Sequence, residues 1–337
     1  MNNDKRLEQL KIWLHSALNS DQYELTVASA DASFRRYFRV LHDGKTMIVM
    51  DAPPEKEDCK PFVDIATRLR ANGINTPKIL AEDHEQGFLL LSDLGDIQYL
   101  SVLSTDSVTD LYKDAINTLI KMQSTSTQSI PTYNRELLQT EMQLFPDWFL
   151  NKHLDIHLND EQNTRLNTAF ECLTENALQQ PSVFVHRDYH SRNLMQTDKH
   201  NPGVLDFQDA VSGAITYDLA SLLKDCYIAW PRQQIENWVR YYLQQAHQQQ
   251  LIDNHFQFDD VMKWVDLMAV QRHLKAIGIF ARLNIRDNKP GYLNDIPRTF
   301  QYIIDSCERY ELLKPLRSLL KELDVASRLK LEWKPLP

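Results

Sequence analysis

No stretch of about eighteen consecutive apolar residues occurs in the chain, and a helix needs roughly that length to cross a bilayer. No membrane partner is expected. The opening residues, MNNDKRLEQLKIWLHSAL, lack a continuous apolar segment and a small-residue cleavage site, so no signal peptide is expected either. Cysteine is sparse and scattered. Cys59, Cys172, Cys226 and Cys307 include no CxxC pair, which argues against a thiolate zinc site and for reduced thiols in a cytoplasmic protein. Internal repeats are missing. Basic residues are outnumbered 37 to 46, and the net charge of −9 argues against nonspecific binding to nucleic acid or to an anionic membrane. A local basic pocket remains compatible with that balance. The length, 337 residues, suits two domains or one large two-lobed one.

The organisation changes near residue 95. Before it, strand-like runs at 25–29, 37–41, 46–50, 78–82 and 87–92 alternate with helical patterns at 7–18 and 61–72. Residues 42–45 (HDGK) form a hairpin-type turn. After residue 96 the pattern is mostly helical, roughly 107–124, 134–150, 160–178, 214–229, 234–249, 258–283 and 295–323. This predicts an α+β chain with a sheet-rich N-terminal lobe, 1–95, and a helical C-terminal lobe, 96–337.

Residues 184–213, FVHRDYHSRNLMQTDKHNPGVLDFQDAVSG, carry the chemistry. His186, Arg187 and Asp188 follow a short buried strand at 182–185. Asn193 comes five residues after Asp188, and Asp206 closes a second apolar run. A hydroxyl attacking a γ-phosphate must be oriented and must lose a proton, which suits the Asp188 carboxylate. The triphosphate charge calls for Mg²⁺, a hard cation that takes oxygen ligands, which suits Asn193 and Asp206. The order HRD…N…DF is that of the kinase catalytic set. Taken singly, the two aspartates also read as turn caps and His186 as a satisfied buried ring; the ordered set favours the catalytic reading.

A phosphate cradle is expected at 29–36, SADASFRR, between two strands. It has no glycine. Its small residues would let backbone N–H groups approach phosphates, the Ser33 hydroxyl would donate, and Arg35 and Arg36 add positive charge. An ordinary polar hairpin tip is the competing reading.

The order strand, HRDYHSRN, strand, LDFQD and then Tyr217-Asp218-Leu219-Ala220 resembles the aminoglycoside phosphotransferase (choline kinase-like) family. The resemblance covers about residues 20 to 300 and implies a protein-kinase-like two-lobed fold. The longer words ASADASFRRYFRV, VHRDYHSRNLM and QRHLKAIGIFARL are similar to the branch that phosphorylates the anomeric hydroxyl of N-acetylmuramate and N-acetylglucosamine in cell-wall recycling. It implies Asp188 as catalytic base, Asn193 and Asp206 as Mg²⁺ ligands, Asp218 as a buried brace of the catalytic loop and His186 as a structural residue. ATP would lie with its phosphates under Ser33, Phe34, Arg35 and Arg36 and its adenine at Ser92 and Leu94. Asp218 also fits a simple helix cap.

One departure stands out. Kinases of this fold place a Lys on the third strand, where this chain has Met50 and Asp51. At about 4 Å, like charges repel by roughly 4 kcal/mol at an effective dielectric of 20. Asp51 is therefore expected to turn from the phosphates towards Arg35 or Arg36, one of which takes over the lysine's electrostatic role. For the acceptor, Arg272, His273 and Lys275 are candidates on the helix 271–283, whose basic side would suit a sugar carrying a carboxylate. Trp148, with Glu141 or Asp147, offers a stacking surface and hydroxyl acceptors; Asp209 lies three residues beyond Asp206. Solvated charges and core aromatics are the competing readings for all of these. Two other functions stay open: a phosphotransferase for another hydroxyl (aminoglycoside, choline or similar), or a nucleotide-binding module without catalysis. A protein kinase is disfavoured, because no long activation segment separates DFQDA from Asp218.

Overall fold

The computed structural model describes residues 4–30 and 34–334. The chain divides into two compact units. The first comprises Met1–Ser101 and Asn193–Asp209, the second Val102–Arg192 and Ala210–Pro337. A division near residue 95 does not anticipate the return of Asn193–Asp209 to the first unit.

Helix α1 (Lys5–Leu18) starts where the Asp4 carboxylate accepts from Leu7 N at 3.1 Å, and buries Leu10 and Leu14. Its apolar stripe joins Phe38, Val40, Val49, Phe88 and Leu90 in one core. Strands β1 (Glu24–Ala30), β2 (Arg36–His42) and β3 (Lys45–Asp51) follow. Helix α2 (Lys60–Ala71) comes next, then β4 (Ile79–Asp83) and β5 (Phe88–Ser92). The sheet is antiparallel throughout, in the order β1-β2-β3-β5-β4. Strand β5, FLLLS, buries both faces, as its unbroken apolar run requires of an inner strand. Between α2 and β5 the chain turns at Gly87, whose φ is +71°. A Cβ there would lie 1.9 Å from the Ala52 carbonyl oxygen, so only glycine fits. One turn, Tyr99–Val102 (α3), follows the connector.

In the second unit, α4 (Val108–Gln123) and α5 (Arg135–Leu144) precede a change of winding. At Phe145 the chain passes into a π-helix, Phe145–His153, instead of continuing the single helix that periodicity predicts over 134–150. Pro146 has no N–H and cannot serve the α-helical ladder, so the winding must change near it. Gly278 accommodates this junction, since a Cβ there would come within 2.4 Å of the Leu144 carbonyl carbon. Helix α6 (Asp160–Leu178) starts in a reciprocal Asn159–Gln162 capping box.

Strand β6 (Ser182–Val185) leads to the catalytic loop. Back in the first unit, β7 (Leu194–Met195) pairs with β8 (Gly203–Val204). The second unit resumes with β9 (Val211–Ala214), which pairs with β6 and was not expected from the sequence. The helix expected over 214–229 is only Tyr217–Leu223 (α7). Then come α8 (Arg232–Gln248), the 30-residue α9 (Phe258–Asp287), α10 (Ile296–Arg309) and α11 (Lys314–Glu322). The predicted helix 295–323 is thus broken, by a 3₁₀ turn at Glu311–Leu313. Among the described residues, no helix is long and apolar enough to cross a membrane.

Candidate active site

In the second unit, β6 delivers His186, Arg187 and Asp188 to a tightly held loop. Arg187 has φ +80°, a left-handed conformation that costs a non-glycine residue energy and persists only where neighbours fix it. Asp218 provides that fixing. Its carboxylate accepts from His186 N at 2.7 Å and from Arg187 N at 3.0 Å. Asp218 is fully buried at the start of α7, and burial pushes its carboxyl above the ordinary value against the pull of His186 and Arg272. At the next peptide, Arg272 Nη1 donates to Arg187 O at 2.6 Å and Nη2 to Ser221 Oγ at 2.6 Å. His186 is a brace: its Nδ1 accepts from Asp188 N at 3.2 Å. Further along, Tyr189 donates to Ala115 O at 2.8 Å, and Ser191 N and Oγ both donate to Asp225.

The side chain of Arg187 is held by Glu141, at the end of α5. The same carboxylate takes Lys275 Nζ at 3.0 Å and accepts from the Tyr133 hydroxyl. Lys275 also donates to the Tyr217 hydroxyl at 3.4 Å. Two cations thus converge on one nearly buried acid. Burial raises the Glu141 carboxyl, but Lys275 and Arg187 hold it below the ordinary glutamate value. Asp188 follows the same logic. Burial raises it, yet the positive charges of Lys275, His190, Arg272 and His186 leave it below the ordinary aspartate value. Asp188 is therefore a carboxylate at neutral pH, ready to accept a proton or a hydrogen bond.

The first unit carries the candidate metal ligands. The short β7–β8 ladder sets Asn193 beside Leu205, whose N donates to Asn193 O at 3.0 Å. Asn193 Nδ2 lies 3.3 Å from Asp206 Oδ2, and Gln208 Nε2 donates to Asp206 Oδ1 at 2.8 Å. Asp206 has φ +63°, and the next residue, Phe207, is buried against the Phe62 ring at 4.8 Å. That anchor sets the direction of Asp206. The ladder docks through Val204 N to Asn75 O and Gln196 N to Ile97 O, both 2.8 Å. Among the described residues no group of three or more His, Cys, Asp and Glu gathers as a metal site. An Asn oxygen and an Asp carboxylate are hard donors, and the buried Gln208 Oε1 beside them has no partner. This fits Mg²⁺, which keeps waters and substrate phosphates in the rest of its shell.

Ser33, the expected hydroxyl donor of the cradle, lies outside the described residues. Phe34 is exposed, with the Lys56 ammonium 5.4 Å from its ring centroid. Arg35 pairs with Glu57 at 2.8 Å. Asp51 is fully buried and, as its position demands, paired: Arg36 Nη2 lies 2.6 Å from Oδ2 and Arg6 Nε 2.7 Å from Oδ1. Arg36 also binds Asp4. Arg6, from α1, was not anticipated, and nothing in local spacing marks it. Ser92 Oγ accepts from Lys78 N at 2.8 Å, and the connector beyond is closed by Arg39 on Asp93 at 2.7 Å. A methyl on Gly203 would touch the Leu94 side chain at 3.0 Å, which puts Leu94 over the β7–β8 ladder.

Three acceptor candidates make packing or hydrogen-bond contacts within the second unit. His273 is a core residue: its ring stacks on Tyr302 at 4.9 Å, Nε2 meets Lys224 O at 2.8 Å, and burial drives its pKa down to about 3. Trp148 packs on the helical core under the Lys152 ammonium, 3.6 Å from its centroid. Arg272 is engaged by backbone and by Ser221, a structural role the helix stripe did not reveal. Asp209 is exposed, with Gln208 Nε2 at 3.4 Å.

A family model described as the phosphotransferase enzyme family matches residues 24–253. The chain belongs to that family. This phosphotransferase is 45% identical to a Pseudomonas putida protein named N-acetylmuramate/N-acetylglucosamine kinase, over 96% of this chain and 98% of the relative. A Pseudomonas aeruginosa protein of the same name matches equally, at 45% identity, 96% and 98%. Of solved structures, a choline kinase of Streptococcus pneumoniae has a TM-score of 0.62 at 12% identity, covering 89% of this chain and 99% of that one. That likeness is one of fold, and the expected α+β, protein-kinase-like fold is the one observed. Family membership makes the chain an enzyme that moves phosphate from ATP to a hydroxyl with the help of a metal ion.

Proposed function

We propose that this chain is a sugar kinase that transfers the γ-phosphoryl group of ATP to the anomeric hydroxyl of N-acetylmuramate and N-acetylglucosamine, in the cytoplasm, as a step of peptidoglycan recycling. The observation that carries the reading is 45% identity along nearly the whole chain to two relatives bearing that name. The site chemistry supports it. Asp188 is kept ionised by its cationic surroundings and orients the acceptor hydroxyl. The anomeric hydroxyl is more acidic than an ordinary alcohol and asks less of its base. Asn193 and Asp206 would hold Mg²⁺, which would neutralise phosphate charge. Positioning by the pinned loop supplies much of the rate.

The test is ATP consumption with Mg²⁺ against N-acetylmuramate, N-acetylglucosamine, kanamycin and choline, followed by mild acid. A glycosyl-1-phosphate is acid-labile, so phosphate released from the N-acetylmuramate product is the expected result. An acid-stable ester, or turnover with choline or kanamycin alone, would overturn the acceptor assignment.

Arg36 is assigned the electrostatic part of the missing third-strand lysine. It sits with Asp51 in register on β2 and β3, is paired with Asp51 and Asp4 as such a lysine is paired with an acid, and its side chain stays about a third exposed. Arg36→Ala is expected to raise the KM for ATP about tenfold, the value of one charge-assisted hydrogen bond, with the acceptor KM little changed. Unaltered ATP kinetics would end this assignment.

A further inference from the structure

We infer that Arg192 is the carboxylate-reading residue of the acceptor site, and that it separates acidic from neutral amino sugars. The inference rests on the sugar-kinase reading and deepens it. Three cations of the second unit are already engaged. Arg187 and Lys275 are both bound to Glu141, and Arg272 is bound to Arg187 O and Ser221. None of these three has its charge free for a substrate carboxylate. Arg192, four residues past Asp188, differs. Among the described residues it makes no ion pair with a carboxylate. Asp295, whose charge it feels, is bonded to Arg298 Nη1 at 2.9 Å.

Instead, Arg192 rests on aromatic rings. Its guanidinium carbon lies 4.7 Å from the Tyr227 centroid and 6.0 Å from that of Tyr292. Tyr292 in turn stacks on Phe280 at 5.6 Å. Arg192 also hydrogen-bonds the Tyr227 hydroxyl, and the guanidinium has further N–H donors beyond that bond, a planar fork that matches a carboxylate. The surface is also fixed in advance. The buried Asp225 carboxylate accepts from Ser191 N and Oγ at 3.0 and 2.5 Å and from Tyr227 N at 2.9 Å. One acid thus ties the residue before Arg192 to the tyrosine beneath it. His190, between Asp188 and Arg192, lies against Tyr227 at 5.4 Å, and its Nδ1 is buried with no partner.

The chemistry fits an acceptor whose reacting hydroxyl and acid group lie apart. N-acetylmuramate carries its carboxylate on the lactyl arm of O3, two ring carbons from the anomeric C1 and reaching away from the ring. N-acetylglucosamine has no carboxylate and leaves the fork empty.

The test compares wild type with Arg192→Gln and Arg192→Lys on both sugars. The readout is the ratio of kcat/KM for N-acetylmuramate to that for N-acetylglucosamine. Arg192→Gln is expected to lower this ratio by roughly tenfold or more, the value of a charged hydrogen bond, through the N-acetylmuramate KM. Arg192→Lys keeps the charge, loses the fork and recovers only part of the ratio. Equal losses on both sugars, or a rise confined to the ATP KM, would overturn the inference while leaving the sugar-kinase reading intact. So would the same selective loss in Arg282→Gln but not in Arg192→Gln, since Arg282 Nε is also buried without a partner. Wild-type protein inert on both sugars would overturn the functional reading, and this inference with it.

Discussion

Replacing Asp188 with Asn is expected to lower kcat by about a thousandfold, within the range that general-base groups contribute, while leaving ATP affinity within a few-fold of wild type. The asparagine keeps the size of the side chain and removes the charge. Asp218, Arg272 and His186 hold the loop backbone independently of the Asp188 side chain. A denaturant unfolding curve of the variant separates any loss of stability from the loss of chemistry. Single-turnover phosphate transfer and calorimetric titration with ATP and Mg²⁺ measure transfer and ATP affinity separately. Activity surviving in the variant would remove Asp188 from the mechanism. The pH profile adds a second check. The base works ionised, and neighbouring cations hold its carboxyl below the ordinary aspartate value. Its contribution is then constant from neutral pH downward, and any acid limb of kcat/KM attributable to Asp188 lies below about pH 3.9.

The second large effect is on stability. Glu141→Gln leaves Arg187 and Lys275 facing a neutral amide in a site where the carboxylate side chain is only 8% exposed. Breaking a buried pair from one side costs about 3 kcal/mol, because the remaining charge stays desolvated. Here two cations lose their acid. Denaturant unfolding at pH 7 should show that loss, and kcat should fall as well, since Arg187 belongs to the catalytic loop. The sign of the pH dependence follows from the depressed Glu141 pKa. A depressed carboxyl contributes its full stability above its unfolded value, about 4.5, and loses it as pH falls through the lower folded value. The gap between wild type and variant should therefore close below about pH 4.5. A variant as stable as wild type at pH 7 would show that Glu141 holds neither cation.

Much of this protein is legible in its residues taken in order. Short apolar and aromatic runs mark β2, β3 and β5, helical spacing marks α1, α4 and α6, and the Asp-Gly pair marks the β2–β3 turn. The spacing of Asp188, Asn193 and Asp206 marks the candidate site, because each lies next to the strand that delivers it. Asp218 is readable by itself only as a helix cap; its role as a buried brace is what the family resemblance implies. Local signals fail where a helix changes its winding or stops early. The switch to a π-helix at Phe145 and the short α7 depend on neighbours that periodicity does not contain, Gly278 and the β6–β9 pairing among them.

What the sequence by itself determined was the set of chemical groups, the elements that carry them and the family. Only the tertiary structure decided which charges are used up. Arg6 reaches Asp51 from 45 residues away, and Glu141 reaches Arg187 from 46 away. His273, two residues before Lys275 on the same helix, turns into the core and stacks on Tyr302. The reason is physical. Periodicity and turn chemistry act over a few residues and are written in local order. A buried charge takes whichever opposite charge folding brings within a few ångströms, and desolvation makes that choice strong without leaving any local trace.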